Sequence, residues 1–406
     1  MMTPPGSDAF SARPRRVGSL LSKAWEKGLL PRPDLEEVSA KAAALDESFG
    51  AQPAAPWRAA LERLILSLAQ EARLNEIGLT FAYVQLKGLL QQRQSVWRQW
   101  KSEPAILTLP VAMPVIVLGH MRSGTTRIQR LLGCDHRLNH TRFYEVMHPA
   151  PPAGLGLRVA RSWAELRLLN FLNPALRAVH PTSARAVEEV FGLLSFSFYG
   201  AQLEAQWRVP GFARQWEGES RTGVYEELKR LVATIAWTRG GTLKPWVLKA
   251  PQFMEDLDVL LDIFPDARLI CLHRDPVEVV GSSASLVWNQ MRVQSDAADR
   301  RWIGAEWLYK TARRSRICAA VRQSRPEVPQ IDVSFDDVNR DWRGEMRRIY
   351  AFLNLDLTPQ VERNMQAYLS KAARSGYRKH SYRLEDFGLN ADTVRKEVGP
   401  GHPFPI

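Results

Sequence analysis

Two stretches of this chain of 406 residues carry residue types and spacings suited to holding phosphate. The first is Gly119-His-Met-Arg-Ser-Gly-Thr-Thr126. Gly119 and Gly124 have the spacing of a phosphate-binding loop, in which backbone N–H groups and the start of the next helix surround an anion. A nucleoside triphosphatase needs a lysine just after the second glycine. Here Thr125 occupies that position, and the cation is Arg122, inside the loop. The loop therefore predicts a phosphate cradle not built for ATP hydrolysis. A plain strand-to-helix turn is the alternative, but it would need one glycine, and it gives no reason for an arginine and several hydroxyls.

The second stretch is His273-Arg-Asp-Pro276 with Ser282. Asp275 suits an N-cap, Pro276 the first helical position, and Glu278 the carboxylate of a capping box. That fixes a helix start. Arg274, just before it, projects from a strand end, and Ser282 lies one turn beyond Glu278, on the same face. An arginine fork beside a serine hydroxyl suits a phosphate dianion. The alternative is an arginine paired with a surface carboxylate and a serine on a solvated face.

The elements that must position these groups follow from hydrophobic pattern. Val115–Leu118 reads as a buried strand, and Ile128, Leu131 and Leu132 as the apolar side of the helix after the loop. Further strands are expected at Trp246–Lys249, Arg268–His273 and Gln330–Ser334, with helices over 255–263, 277–288 and 343–353. Strands separated by helices in this rhythm imply an α/β fold: a P-loop-like parallel sheet flanked by helices on both faces. Ligands in such sheets bind at the carboxyl ends of the strands.

Residues 1–16, rich in Pro, Ser and Arg, read as a flexible leader, and 17–105 as a helical N-terminal segment built on Trp57, Leu61, Leu64, Ile65 and Leu68. The α/β domain then spans 106–395, with a tail at 396–406. Within it, 141–216 loses the alternation and is dense in aromatics, which suggests an insertion on the side of a second substrate.

A formal net charge of +12 suits an anionic partner. The arginines are scattered, and no zinc-finger or RNP pattern supports nucleic acid. Cys134, Cys271 and Cys318 lack metal-ligand spacing, and Cys271 reads as a buried reduced thiol. The N-terminus has no apolar h-region, and the longest apolar run is interrupted by Pro110 and Pro114, too short to span a bilayer. A cytoplasmic protein without a signal peptide or an integral membrane segment is expected. The oligomeric state is open, a homodimer included.

The order of Gly119–Thr126, Leu248-Lys-Ala-Pro251, Phe264-Pro-Asp-Ala267 and His273-Arg-Asp-Pro276 with Ser282 resembles that of sulfotransferases, most of all their bacterial branch. Tyr382-Arg-Leu-Glu-Asp-Phe-Gly-Leu389 is similar to that branch's ending. The resemblance covers roughly 112–395. It implies a metal-independent enzyme that moves a sulfuryl group from 3′-phosphoadenosine-5′-phosphosulfate to a hydroxyl of a small-molecule, lipid or sugar acceptor. It further implies that Arg122, Ser123, Gly124, Thr125 and Thr126 hold the 5′-phosphosulfate, and that Arg274 and Ser282 hold the 3′-phosphate.

Sulfuryl transfer needs cations on the transferred and leaving oxygens and a base for the acceptor proton. Arg122 stands where the family commonly has lysine, and Lys249 can supply a point donor to the bridging oxygen. The histidine that the family often carries three residues after that lysine is replaced by Gln252, which cannot take a proton. Glu145, among aromatics, is the first expectation for the base, His180 the second, and Glu188 or Glu189 the third. A P-loop kinase and a polyanion-binding protein are the competing classes. The first lacks its lysine and a clear Mg²⁺-holding aspartate; the second explains the charge but not two ordered phosphate motifs.

Overall fold

The structure is a computed structural model that describes residues 7–49, 57–150, 155–174, 181–241, 243–374 and 382–399. Its centre is a parallel sheet of five strands in the order β2-β3-β1-β4-β5: β1 Val115–Leu118, β2 Asn139–His140, β3 Trp246–Lys249, β4 Arg268–His273 and β5 Gln330–Ser334. Strand β1 lies between β3 and β4, with Ile116 opposite both Leu248 and Leu269. Connections therefore leave β1 toward both sides, which makes its carboxyl end the switch point where such sheets bind ligands.

Side chains alternate between the faces with period two. Ile116, Leu118, Leu248, Leu269 and Cys271 enter one core, and Val115, Val117, Val247, Ile270 and Leu272 enter the other. Truncating one of these fully buried side chains, Ile116→Ala for example, should cost about 2–5 kcal/mol. The second face is covered by α5 Thr125–Leu132 and by the helix Trp342–Phe352, whose Met346 and Ile349 are fully buried.

The N-terminal helices are α1 Ser7–Glu26, α2 Leu35–Phe49, α3 Trp57–Gln70 and α4 Glu76–Ser102. Leu61, Leu64 and Leu68 of α3 and Leu86, Leu90 and Val96 of α4 join the same core as Ile116 and Leu248. Buried Arg93 of α4 donates to the Phe196 carbonyl at 2.6 Å and pairs with Glu227 at 2.8 Å on the helix Thr222–Thr238. Removing either partner would leave a buried charge uncompensated.

Some features go beyond what the pattern could show. Helix α1 begins at Ser7, inside the stretch read as a leader, and packs on α4. Strand β2 is too short to leave a periodic signal; it exists through pairing with β3 and through Asn139 N–H donating to the Pro245 carbonyl at 2.7 Å. The aromatics Phe196, Phe198, Tyr199, Trp207 and Trp216 are fully buried core residues. After α5 the chain forms α6 Phe143–Met147 and α7 Leu155–Leu172.

Candidate active site

The glycine-bounded loop leaves β1 at the switch point. Arg122 and Gly124 take left-handed backbone, φ 71° and 91°. For Gly124 this is unstrained, and a Cβ there would stand 2.6 Å from the Phe335 ring. Arg122 has no such freedom, so its conformation is held by its surroundings. The Ser123 hydroxyl ties the loop by donating to the His120 carbonyl at 2.7 Å.

The second element ends β4 and opens the helix Pro276–Gln294, with Asp275 accepting from Val277 N–H at 2.8 Å as an N-cap. Arg274 donates from Nη1 to the Arg122 carbonyl at 2.7 Å and from Nε to Glu278 at 2.7 Å, and it lies 4.1 Å over the Phe335 ring. Arg122 Nε in turn donates to Ser282 Oγ at 2.9 Å. The structure thus brings both phosphate motifs together through Arg122, Arg274 and Ser282. Gly281 lets this helix be approached closely: a Cβ there would stand 2.3 Å from the Tyr382 ring, whose hydroxyl donates to the Glu278 carbonyl at 3.0 Å. The tail motif therefore braces the arginine–serine element.

Lys249 ends β3, fully buried. Its Nζ pairs with Glu189 and lies 3.5 Å from Thr126 Oγ1, which itself donates to Glu189 at 3.1 Å. Burial pulls the Lys249 ammonium below its ordinary pKa, and Glu189 opposes that pull. A lysine, a carboxylate and a hydroxyl thus converge on the first turn of α5, where the helix dipole favours negative charge. Neighbouring Glu188 accepts from the Thr182 hydroxyl at 2.7 Å, and its carbonyl accepts from Thr141 and Gln129.

Glu145 is held elsewhere. Its carboxylate accepts from the Arg142 backbone N–H at 2.9 Å, closing a capping box on α6, and from the Tyr144 hydroxyl at 3.0 Å. It also pairs with Arg239, whose Nε donates to it at 2.9 Å. These partners give it a structural task at the start of α6. His180 lies outside the described residues. The Gln252 amide is fully engaged: it donates to Tyr199 at 2.7 Å and Glu255 at 2.6 Å, and accepts from Ala201 N–H and Arg314.

Two residues near the site carried no sequence signal of their role. Phe335 stacks on Arg274, and the only clue was its position directly after β5. His120, in the loop, meets Ser315 at 2.8 Å on the helix Arg300–Ser324. Burial, with Arg314 and His273 nearby, lowers its pKa to about 3. Cys271 and Cys318 are buried free thiols that burial pushes up, Cys318 to about 12. Among the described residues, no group of three or more His, Cys, Asp or Glu side chains could hold a metal ion, and no helix is long and apolar enough to cross a membrane.

A model of the sulfotransferase family matches residues 114–359. The omega-hydroxy-beta-dihydromenaquinone-9 sulfotransferase Stf3 of Mycobacterium bovis, and that of Mycobacterium tuberculosis, are 26% identical over 291 residues, covering 67% of this chain and 70% of theirs. The crystal structure of sulfotransferase STF1 from Mycobacterium tuberculosis superposes with a TM-score of 0.74 at 26% identity, covering 91% of this chain and 99% of that one. Sulfotransferase STF9 from Mycobacterium avium has the same fold, with a TM-score of 0.75 at 24% identity over 89% of this chain and 94% of its own.

Proposed function

The chain belongs to the sulfotransferase family, and on that premise we propose that 3′-phosphoadenosine-5′-phosphosulfate is its donor and an apolar, lipid-like alcohol its acceptor. It is a transferase that moves a sulfuryl group to a hydroxyl. The observation that carries the donor reading is the Arg274–Arg122–Ser282 chain, which gathers two guanidinium groups and a hydroxyl beside the glycine-bounded loop. Such a cluster suits a nucleotide with a phosphate at each end.

Within this reading Arg274 and Ser282 bind the 3′-phosphate, and Arg122, Ser123, Gly124, Thr125 and Thr126 cradle the 5′-phosphosulfate, with the Arg122–Ser282 hydrogen bond linking the two. The donor supplies the sulfuryl group and a phosphate leaving group. Lys249 stabilises the negative charge that develops on the leaving oxygen, and Glu189 accepts the acceptor hydroxyl proton. Glu189 replaces Glu145 as first choice because it touches both Thr126 and Lys249, whereas Glu145 is saturated by Arg239, Tyr144 and the α6 capping box. His180 and Glu188 are the remaining alternatives. Residues 141–216, which contribute Glu189, form the acceptor side, and the reaction takes place without metal in the cytoplasm.

The mycobacterial relative named for a menaquinone derivative supports the acceptor class. The test is incubation of purified protein with sulfur-labelled donor and separate pools of lipid, aromatic and sugar alcohols. Label transferred into the lipid pool is expected. Transfer only into the sugar pool would reject the acceptor class, and no transfer to any pool would reject the activity of this chain.

A further inference from the structure

Helix α7 differs from an ordinary surface helix in carrying apolar residues along its solvent side. Its buried side includes the polar residues Arg158 and Ser162, with Arg158 stacked 5.2 Å over the Tyr144 ring and donating to the Pro149 carbonyl at 3.2 Å. Its solvent side carries Leu157, Ala160, Ala164, Leu168 and Phe171, all exposed, at successive spacings of three and four. Those spacings draw one continuous stripe along a helix. Leu157 is 65% exposed, Leu168 53% and Phe171 54%, with Trp163 beside them at 56%. Single exposed apolar residues need no explanation, but a whole helical face of them does.

The edges of the stripe are basic and aromatic. Arg167 stacks 4.8 Å from the Trp163 ring on one edge, and Arg161 lies on the other, paired with Glu165. Glu165 is the lone acid of α7, and His148 also engages it. At the far end Arg13 of α1 stands 5.8 Å over the Phe171 ring, with Arg16 exposed one turn further along the same helix. An apolar face with Leu, Phe and Trp, bordered by arginines, matches the physical demands of a lipid–water interface: carbon inserts among acyl chains while guanidinium groups meet phosphate.

We propose that the solvent face of α7, with Arg13 and Arg16 of α1, docks the protein on an anionic phospholipid bilayer. A protein partner or a second copy would require no such excess of positive charge around the stripe. The helix is well anchored for the purpose. It packs on α6, and beyond its C-terminal end Asn173 donates to the Asn289 carbonyl at 2.9 Å on the helix that carries Ser282. The inference rests on α7 and α1 alone and requires no particular acceptor.

Sedimentation with phosphatidylglycerol–phosphatidylcholine vesicles, and with phosphatidylcholine vesicles alone, tests it. The wild-type protein should pellet with the anionic vesicles and at least about tenfold less with the zwitterionic ones or in roughly 0.5 M salt. Leu157→Ser/Leu168→Ser/Phe171→Ser should lose anionic binding about tenfold or more while keeping the wild-type melting temperature and its increase with 3′,5′-bisphosphoadenosine. If that variant fails to fold, Arg161→Gln/Arg167→Gln carries the test, through loss of the preference for anionic lipid. Absence of wild-type binding, equal binding to both vesicle types, or vesicle binding unchanged in both variants would overturn the proposal. So would a wild-type dimer that the triple variant converts to monomer. A missing nucleotide response beside intact vesicle binding would reject the donor reading and leave docking in place.

Discussion

Arg122 Nε donates to Ser282 Oγ across 2.9 Å, joining residues 160 positions apart in sequence. Arg274 closes the link from the other side by donating to the Arg122 carbonyl. The left-handed backbone of Arg122 is thus held at both its main chain and its side chain. Ligand binding to one phosphate element should therefore be felt by the other.

The first prediction follows from that link. 3′,5′-Bisphosphoadenosine should raise the melting temperature several degrees more than AMP or ATP at equal concentration, since stabilisation grows with affinity. Arg274→Ala and Ser282→Ala should each erase most of that difference, and in turnover Arg274→Ala should raise the donor KM more than it lowers kcat. Equal shifts with all nucleotides in the wild type would reject the cluster as a 3′-phosphate site.

Glu189 and Glu145 make opposite predictions. Glu189→Gln should lower kcat about a hundredfold or more, as loss of a general base does, while the response to bisphosphoadenosine persists. Glu145→Gln should instead lower the melting temperature, because Arg239 loses its charged partner, and leave kcat within about threefold of wild type. Steady-state kinetics beside thermal melts of the two variants decides between them; the reverse pattern would return the base to Glu145.

Lys249→Ala should lower kcat strongly with little change in donor KM, because its charge counts most as the leaving oxygen becomes negative. It also leaves Glu189 buried without its cation, so a stability loss of about 3–5 kcal/mol is expected. Lys249→Ala/Glu189→Gln should recover part of that stability but no activity. A double variant no more stable than Lys249→Ala in urea unfolding would show that the pair is not coupled.

His120 predicts a pH dependence of folding. Burial lowers it to about 3, from an ordinary value of 6.5. Between those values the unfolded chain binds a proton that the folded chain refuses, so stability should fall as pH drops from about 6.5 toward 3. Urea midpoints measured across that window should decline less steeply in His120→Gln. An unchanged slope would mean that the imidazole is protonated in the folded protein.

Gly124→Ala adds a methyl group 2.6 Å from the Phe335 ring in backbone that alanine resists. A stability loss of roughly 1–3 kcal/mol is expected, together with a weakened bisphosphoadenosine response. Gly124→Ala/Phe335→Leu should restore part of the stability but none of the backbone freedom, a distinction that calorimetry with and without the nucleotide can read.

By itself the sequence determined what repeats or punctuates locally. Strands β1, β3 and β4 were legible end to end, because buried strands are short apolar runs ended by glycine, proline or polar residues; β5, an edge strand with only Val333 buried, was legible through its β-branched Ile331 and Val333. The N-cap at Asp275 and the glycines of the loop were legible because caps and left-handed turns admit few residue types. Only the tertiary structure could decide which polar side chains meet. Glu145 and Glu189 are both carboxylates in the same aromatic-rich segment, and nothing local separates them. Arg239, just past the end of the helix Thr222–Thr238, captures the first, while Lys249 at the end of β3 and Thr126 on α5 draw the second to the phosphate loop. The exposed stripe of α7 was equally hidden. Its leucines follow a helical period that would normally mark a core, and which side of a helix the fold covers depends on elements far away in the chain.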